Sequence, residues 1–132
     1  MNAGFNFTAS TMLAGNFYTT DKFHHEAGVI TATIIFNGSH PIFEGHFPTI
    51  PVVPGVCMMQ LVKEILEQAI SKKTKLTKAN QLKFLSVITP TITTDVDLKL
   101  QYTNYGGTYN VNAELRNTER SFFKMKATLL IA

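Results

Sequence analysis

A chain of 132 residues with a net charge of +3 has room for one domain and a substantial core. Hydrophobic residues make up 45% and charged residues 16%, which excludes a disordered chain, and so small a basic excess argues against a dedicated nucleic-acid binder. The single cysteine, Cys57, has no partner for an internal disulfide and fits a reducing compartment. The opening MNAGFNFTASTMLAG lacks the basic start and continuous apolar stretch of a signal peptide, and no run reaches membrane-spanning length. The expectation is one soluble, cytoplasmic domain covering residues 1–132.

Along the chain, residues 1–27 are the least legible, with a short strand or turns expected around Phe17–Phe23. The run VITATIIF, Val29–Phe36, is rich in β-branched residues and predicts a strand; Asn37-Gly38-Ser39-His40-Pro41 breaks it. Pro48, Pro51 and Pro54, three residues apart, predict a stiff extended connection. A helix is expected to start near Pro54-Gly55, because Met58, Leu61, Val62, Ile65, Leu66 and Ala69 recur on one helical face. Gln60, Lys63, Glu64 and Glu67 fall on the other side. The first turn, Val56 to Met59, is apolar all round, which points the start of the helix toward a buried site. Beyond it the chain reads as sheet: after Gln81–Ile88, the stretches Val96–Tyr102, Tyr109–Leu115 and Phe123–Ile131 each alternate apolar with polar residues, as half-buried antiparallel strands do. Gly106-Gly107 and Asn117-Thr118-Glu119 supply the turns. One strand, one long helix and three or four antiparallel strands predict an α+β domain, a sheet with one apolar face wrapped around a single helix.

Between the first strand and the helix lies PIFEGHFPTIPVVPGVCMMQ, Pro41–Gln60. Gly45-His46-Phe47-Pro48, Pro51 and Pro54-Gly55-Val56 resemble the signature of the FabZ-type 3-hydroxyacyl-acyl-carrier-protein dehydratases, a hotdog-fold family. The resemblance implies a hotdog fold and elimination of water from a 3-hydroxyacyl thioester to give a trans-2-enoyl thioester. That chemistry needs a base for the C2 proton, an acid for the departing hydroxyl and donors for the thioester oxygen. A histidine with an intrinsic pKa of ~6.5 serves as base near neutrality, and the first amides of a helix offer N–H groups at the positive end of its dipole. The resemblance implies His46 as base and the Gly55 amide as oxyanion donor, with Phe47 and Val56 beside the substrate. It also implies no bound cofactor, the substrate being carried on the phosphopantetheine of acyl carrier protein.

Residue 60 departs from the pattern. The family places a carboxylate there, on the helix fourteen positions after the histidine, and this chain has Gln60. An amide can hydrogen-bond a hydroxyl or hold a water, but it cannot protonate a leaving group. One turn on, where the family often carries Gln, stands Glu64, so the pair looks exchanged, and positions four apart share a helix face. Three readings stay open. Glu64, a water or His46 alone supplies the proton and the chain is a dehydratase. It is a weak or inactive hotdog subunit that binds acyl chains or completes a partner's site. Or Gln60 positions a water for thioester hydrolysis. For Glu64 the plainer expectation is an exposed helix carboxylate facing Lys63 or Lys72.

The remaining features carry less. His24 and His25 diverge in a strand, and no Cys/His/carboxylate spacing matches a zinc site. His40 is a turn residue or a second group behind His46. Cys57 is core, or a thiol activated by the helix N-terminus. The run SKKTKLTK, Ser71–Lys78, reads as a solvated loop, or, by the resemblance, as a basic patch for an acidic acyl carrier protein. One helix under one sheet leaves an edge to be covered, and hotdog proteins generally cover it by pairing, with sites between subunits. A homodimer or a heterodimer with another hotdog subunit is expected.

Overall fold

The computed structural model describes residues 12–43 and 51–132. Two strands, β1 (Tyr18–Glu26) and β2 (Val29–Phe36), precede a short 3-10 turn at Pro41–Phe43 and the helix α1 (Gly55–Ile70). Four strands follow, β3 (Thr74–Phe84), β4 (Asp95–Tyr105), β5 (Thr108–Arg116) and β6 (Ser121–Ile131). They form one six-stranded sheet in the order β1-β2-β4-β5-β6-β3, and every pairing is antiparallel. The expected α+β architecture, an antiparallel sheet with a single helix, is the one observed.

Alternation explains the layering. Across the sheet Ile30 pairs with Leu100, Ala32 with Leu98, Leu100 with Ala113 and Leu115 with Phe123. All of these side chains are buried, because residues two apart share a face and register puts apolar faces side by side. The helix answers with Met58, Leu61, Val62, Ile65 and Leu66, also buried. Ala69 on the same stripe is only partly buried.

Three segments differ from the sequence expectation. The residues before Gly28 form a full nine-residue strand rather than a short one. Its polar stretch gives no period of two because a bulge between Asp21 and His24 shifts the register, with Lys22 in the left-handed region at φ 52°. The turn to β2 uses Ala27 and Gly28, both at positive φ, as two-residue hairpins require. A Cβ on Gly28 would sit 2.8 Å from the Tyr102 carbonyl oxygen. Second, the lysine-rich run is not a loop: from Thr74 onward it is β3, paired along its length with β6. Its exposed side chains hid it, since β3 lies at the sheet edge and only Thr74 of its eleven residues is buried. Third, Glu64 and Glu67 are not on a solvent face but buried, because chain on either side of the helix wraps over them.

Residues 12–17 make one of those wraps. Phe17 stacks on Phe43 at 5.3 Å and meets Phe36 and His40 edge-on, while Asn37 Nδ2 donates to the Asn16 carbonyl. The segment is thereby tied to the end of β2 and to the turn that enters the Gly45–Pro48 motif. In that turn the Ile42 amide donates to His40 Nδ1 at 3.0 Å, so His40 is a half-buried turn cap with an unprotonated Nδ1. Burial lowers its pKa, in keeping with that acceptor role.

Candidate active site at the start of the helix

The helix begins at Gly55 after Pro54, which sits in extended conformation at φ −63° and provides no side-chain cap. The Cys57 and Met58 amides bond back to the Pro54 carbonyl. Among the described residues the Gly55 and Val56 amides find no backbone acceptor, leaving two N–H groups at the positive helix end. The Phe84 ring lies against Gly55: an added Cβ would be 2.7 Å from its Cε1 atom. Glycine here makes room for an aromatic edge from β3 rather than for an unusual φ. Phe84 is 54% exposed, and Val56, which follows Gly55 in the chain, is also exposed. Sequence reasoning gave Phe84 no part in the site, since 29 positions separate it from Gly55.

About two and a half turns further in, Glu64 is 4% exposed and accepts four hydrogen bonds. Oε2 takes the Leu13 amide and Gln60 Nε2, both at 2.9 Å; Oε1 takes the Ala14 amide at 2.9 Å and the Tyr18 hydroxyl at 3.0 Å. Four neutral donors thus satisfy a buried carboxylate, as burial of such a group demands. Burial first, then the charge of Glu64 and the hydrogen bond to it, raise the Tyr18 phenol well above its ordinary range, so it remains a donor. No local signal announces this arrangement: three of the donors lie about fifty residues away, and two are backbone amides.

Gln60 and Glu64 are therefore together, as helical spacing implied, but in direct contact. Gln60 also lines a groove of about 530 Å³ between the helix and β3, with Val56, Met59 and Leu76 on its apolar wall and Lys63, Lys73 and Lys75 along it. Glu64 is not part of that lining. His46 and Phe47 lie outside the described residues.

Cys57 is wholly buried. Burial, then the nearby Glu64 charge, push its thiol up to about 12, so the helix N-terminus does not activate it. Native protein at mildly alkaline pH is expected to resist iodoacetamide for hours and to react within minutes once unfolded, as mass spectrometry will show.

Glu67 stands on the same side. Its Oε2 accepts from Lys63 Nζ at 2.8 Å, the Thr74 amide at 2.6 Å and Thr74 Oγ1 at 3.1 Å, clamping the helix end to the start of β3. Burial pulls its pKa upward, but the Lys63 and Thr74 donations outweigh that and hold it below the ordinary 4.5. The stabilisation it gives is complete above the unfolded value and fades as pH falls through the lower folded value. Glu67→Gln is expected to cost about 1–2 kcal/mol at neutral pH. The gap from wild type should narrow in urea titrations as pH drops below that of ordinary carboxylate titration.

A six-stranded antiparallel sheet packed on one helix defines a hotdog-fold protein. Solved structures with this fold agree. The dehydratase heterocomplex ApeI:P from Xenorhabdus doucetiae aligns with a TM-score of 0.70 at 16% identity, covering 86% of this chain and 97% of that one. An HP0420 homologue from Helicobacter felis aligns with a TM-score of 0.66 at 12% identity over 96% of both chains. A putative thioesterase from Ralstonia eutropha JMP134, described as related to phenylacetic acid degradation, gives 0.59 at 14%, covering 86% and 84%. At these identities the likeness speaks to fold. Residues 22–122 match the family model described as ApeI-like, ApeI dehydratase, and the chain belongs to that family. No curated protein matches the sequence. Among the described residues no helix is long and apolar enough to cross a membrane.

Proposed function

We propose that the chain is a hotdog subunit of a 3-hydroxyacyl-thioester dehydratase of the FabZ type, acting on a substrate carried by acyl carrier protein. His46 removes the C2 proton, and the amides of Gly55 and Val56 receive the thioester oxygen as charge develops on it. Phe84 and Val56 flank the approach. The observation that carries this reading is the helix start behind Pro54, whose Gly55 and Val56 amides have no backbone acceptor among the described residues, in a chain of the ApeI-like dehydratase family.

The acid does not come from this chain's helix. Gln60 has no proton acidic enough, and all the hydrogen bonds Glu64 accepts are from groups that hold it in place. A second hotdog subunit that contributes a carboxylate completes the site, seated along the free edge of β3. The related ApeI:P dehydratase is itself a heterocomplex, which supports a partner of this kind. Phosphopantetheine enters only as the substrate's carrier arm.

The test is dehydration of a 3-hydroxyacyl thioester on carrier protein, with the chain alone and with a co-purified hotdog partner. Activity of the pair that disappears with His46→Ala, while assembly persists, supports the reading. Undiminished activity in His46→Ala overturns it.

A further inference from the structure

Glu64 is buried, fully hydrogen-bonded and one turn from the residue at the family's acid position, and the geometry gives it a task there. We infer that Glu64 is a positioning residue that fixes which end of the Gln60 amide faces the groove. This rests on the acyl-thioester reading above and deepens it. A carboxylate can only accept hydrogen bonds, so the Gln60 branch at 2.9 Å from Glu64 Oε2 is the NH2 group. The two ends of an amide look alike in shape, and the chemistry of the neighbour decides between them. With nitrogen turned to Glu64, the carbonyl Oε1 is the branch left for the groove that Gln60 lines, and no described residue donates to it. The Leu13 and Ala14 amides and the Tyr18 hydroxyl hold Glu64 from the far side, so the carboxylate cannot swing away to release the amide.

An acceptor at this point selects a ligand that carries a donor. A 3-hydroxyacyl group has one in its hydroxyl; the enoyl product and a saturated chain have none. The site therefore prefers the hydroxylated acyl chain through a single oriented carbonyl, and substrate is distinguished from product at Gln60.

Two measurements test this. In the first, side-chain amide NMR without ligand follows the Gln60 NH2 pair, assigned by its loss in Gln60→Leu. A downfield, slowly exchanging proton in wild type that reverts to an ordinary free amide in Glu64→Gln is expected; fast exchange in wild type overturns the positioning role. In the second, calorimetry compares binding of the 3-hydroxyoctanoyl and octanoyl amides of the pantetheine analogue whose thiol is replaced by an amine, whose less acidic C2 protons keep them from turning over during the measurement. Wild type should favour the hydroxyl form by about tenfold, the worth of one net hydrogen bond. The preference, read as the ratio of the two affinities within each variant, should vanish in Gln60→Leu and in Glu64→Gln. Tyr18→Phe removes a donor from the far oxygen of Glu64 and serves as the structural control: it should lower stability and leave the tenfold ratio intact. A ratio unchanged in Glu64→Gln, or lost equally in Tyr18→Phe, overturns the inference. If neither amide binds, the acyl-thioester reading fails, and the amide exchange still decides whether Glu64 holds Gln60.

Discussion

Gln60→Glu is expected to raise dehydration by the chain assayed without a partner about a hundredfold or more, the usual worth of a well-placed general acid. The new carboxyl would stand where the Gln60 amide stands, one helical turn from Glu64. Two carboxylates in contact do not both ionise at neutral pH, so the pair retains one proton and titrates as a unit with a raised apparent pKa. That proton is the one the wild-type helix lacks. The rate should follow pH with an acid-to-base loss above neutrality, absent from the wild-type profile, and His46→Ala in the same background should abolish it. The variant is expected to be less stable than wild type by about 1–3 kcal/mol, because a neutral donor to Glu64 is exchanged for a group that competes for charge.

The second large effect is on folding. Glu64→Ala removes the common acceptor of two backbone amides, the Tyr18 hydroxyl and the Gln60 amide. Leu13 and Tyr18 are themselves buried, so water does not readily replace the lost acceptor, and each orphaned buried donor costs about 1–3 kcal/mol. A total of about 3–5 kcal/mol is expected, which for a domain of this size lowers Tm by about 10–15 °C. Thermal melts read by circular dichroism provide the check. Tyr18→Phe, which leaves three donors and the charge in place, should cost only about 1 kcal/mol. A Glu64→Ala melt no lower than that of Tyr18→Phe would show that the N-terminal wrap is held by the Phe17 aromatic contacts instead.

How far the sequence revealed all this depended on how local each feature is. β2 was legible to the residue because VITATIIF carries its own β-branched pattern, and the helix because its apolar stripe repeats at helical spacing. The strands after Ile92 were read from strict alternation, and the Gly106-Gly107 turn has both residues at positive φ. β1 and β3 were misjudged for one shared reason: both are edge strands, exposed on most of their length, and an edge strand need not alternate. At the site, the Gln60–Glu64 contact followed from i, i+4 spacing. What no spacing rule could show is that Glu64 is covered, since its cover is backbone from residues 13 and 14. Phe84 escaped for a similar reason: its closeness to Gly55 depends on β3 ending at Phe84, whereas the sequence placed sheet over Gln81–Ile88.

The composition of β3 has a bearing on solubility. Between Thr74 and Phe84 it carries Lys75, Lys78 and Lys83 and no acidic residue, on a strand whose outer edge has no neighbour in the sheet among the described residues. An open row of backbone donors and acceptors invites indiscriminate strand addition and fibril-like stacking. Placing like charges on that row makes one copy a poor template for another. The protection is electrostatic, so it fades as salt shortens the Debye length from about 10 Å at 0.1 M to about 3 Å at 1 M. Purified without a companion, the chain should therefore remain dispersed in dilute buffer and begin to aggregate as salt is raised through the range that screens these lysines.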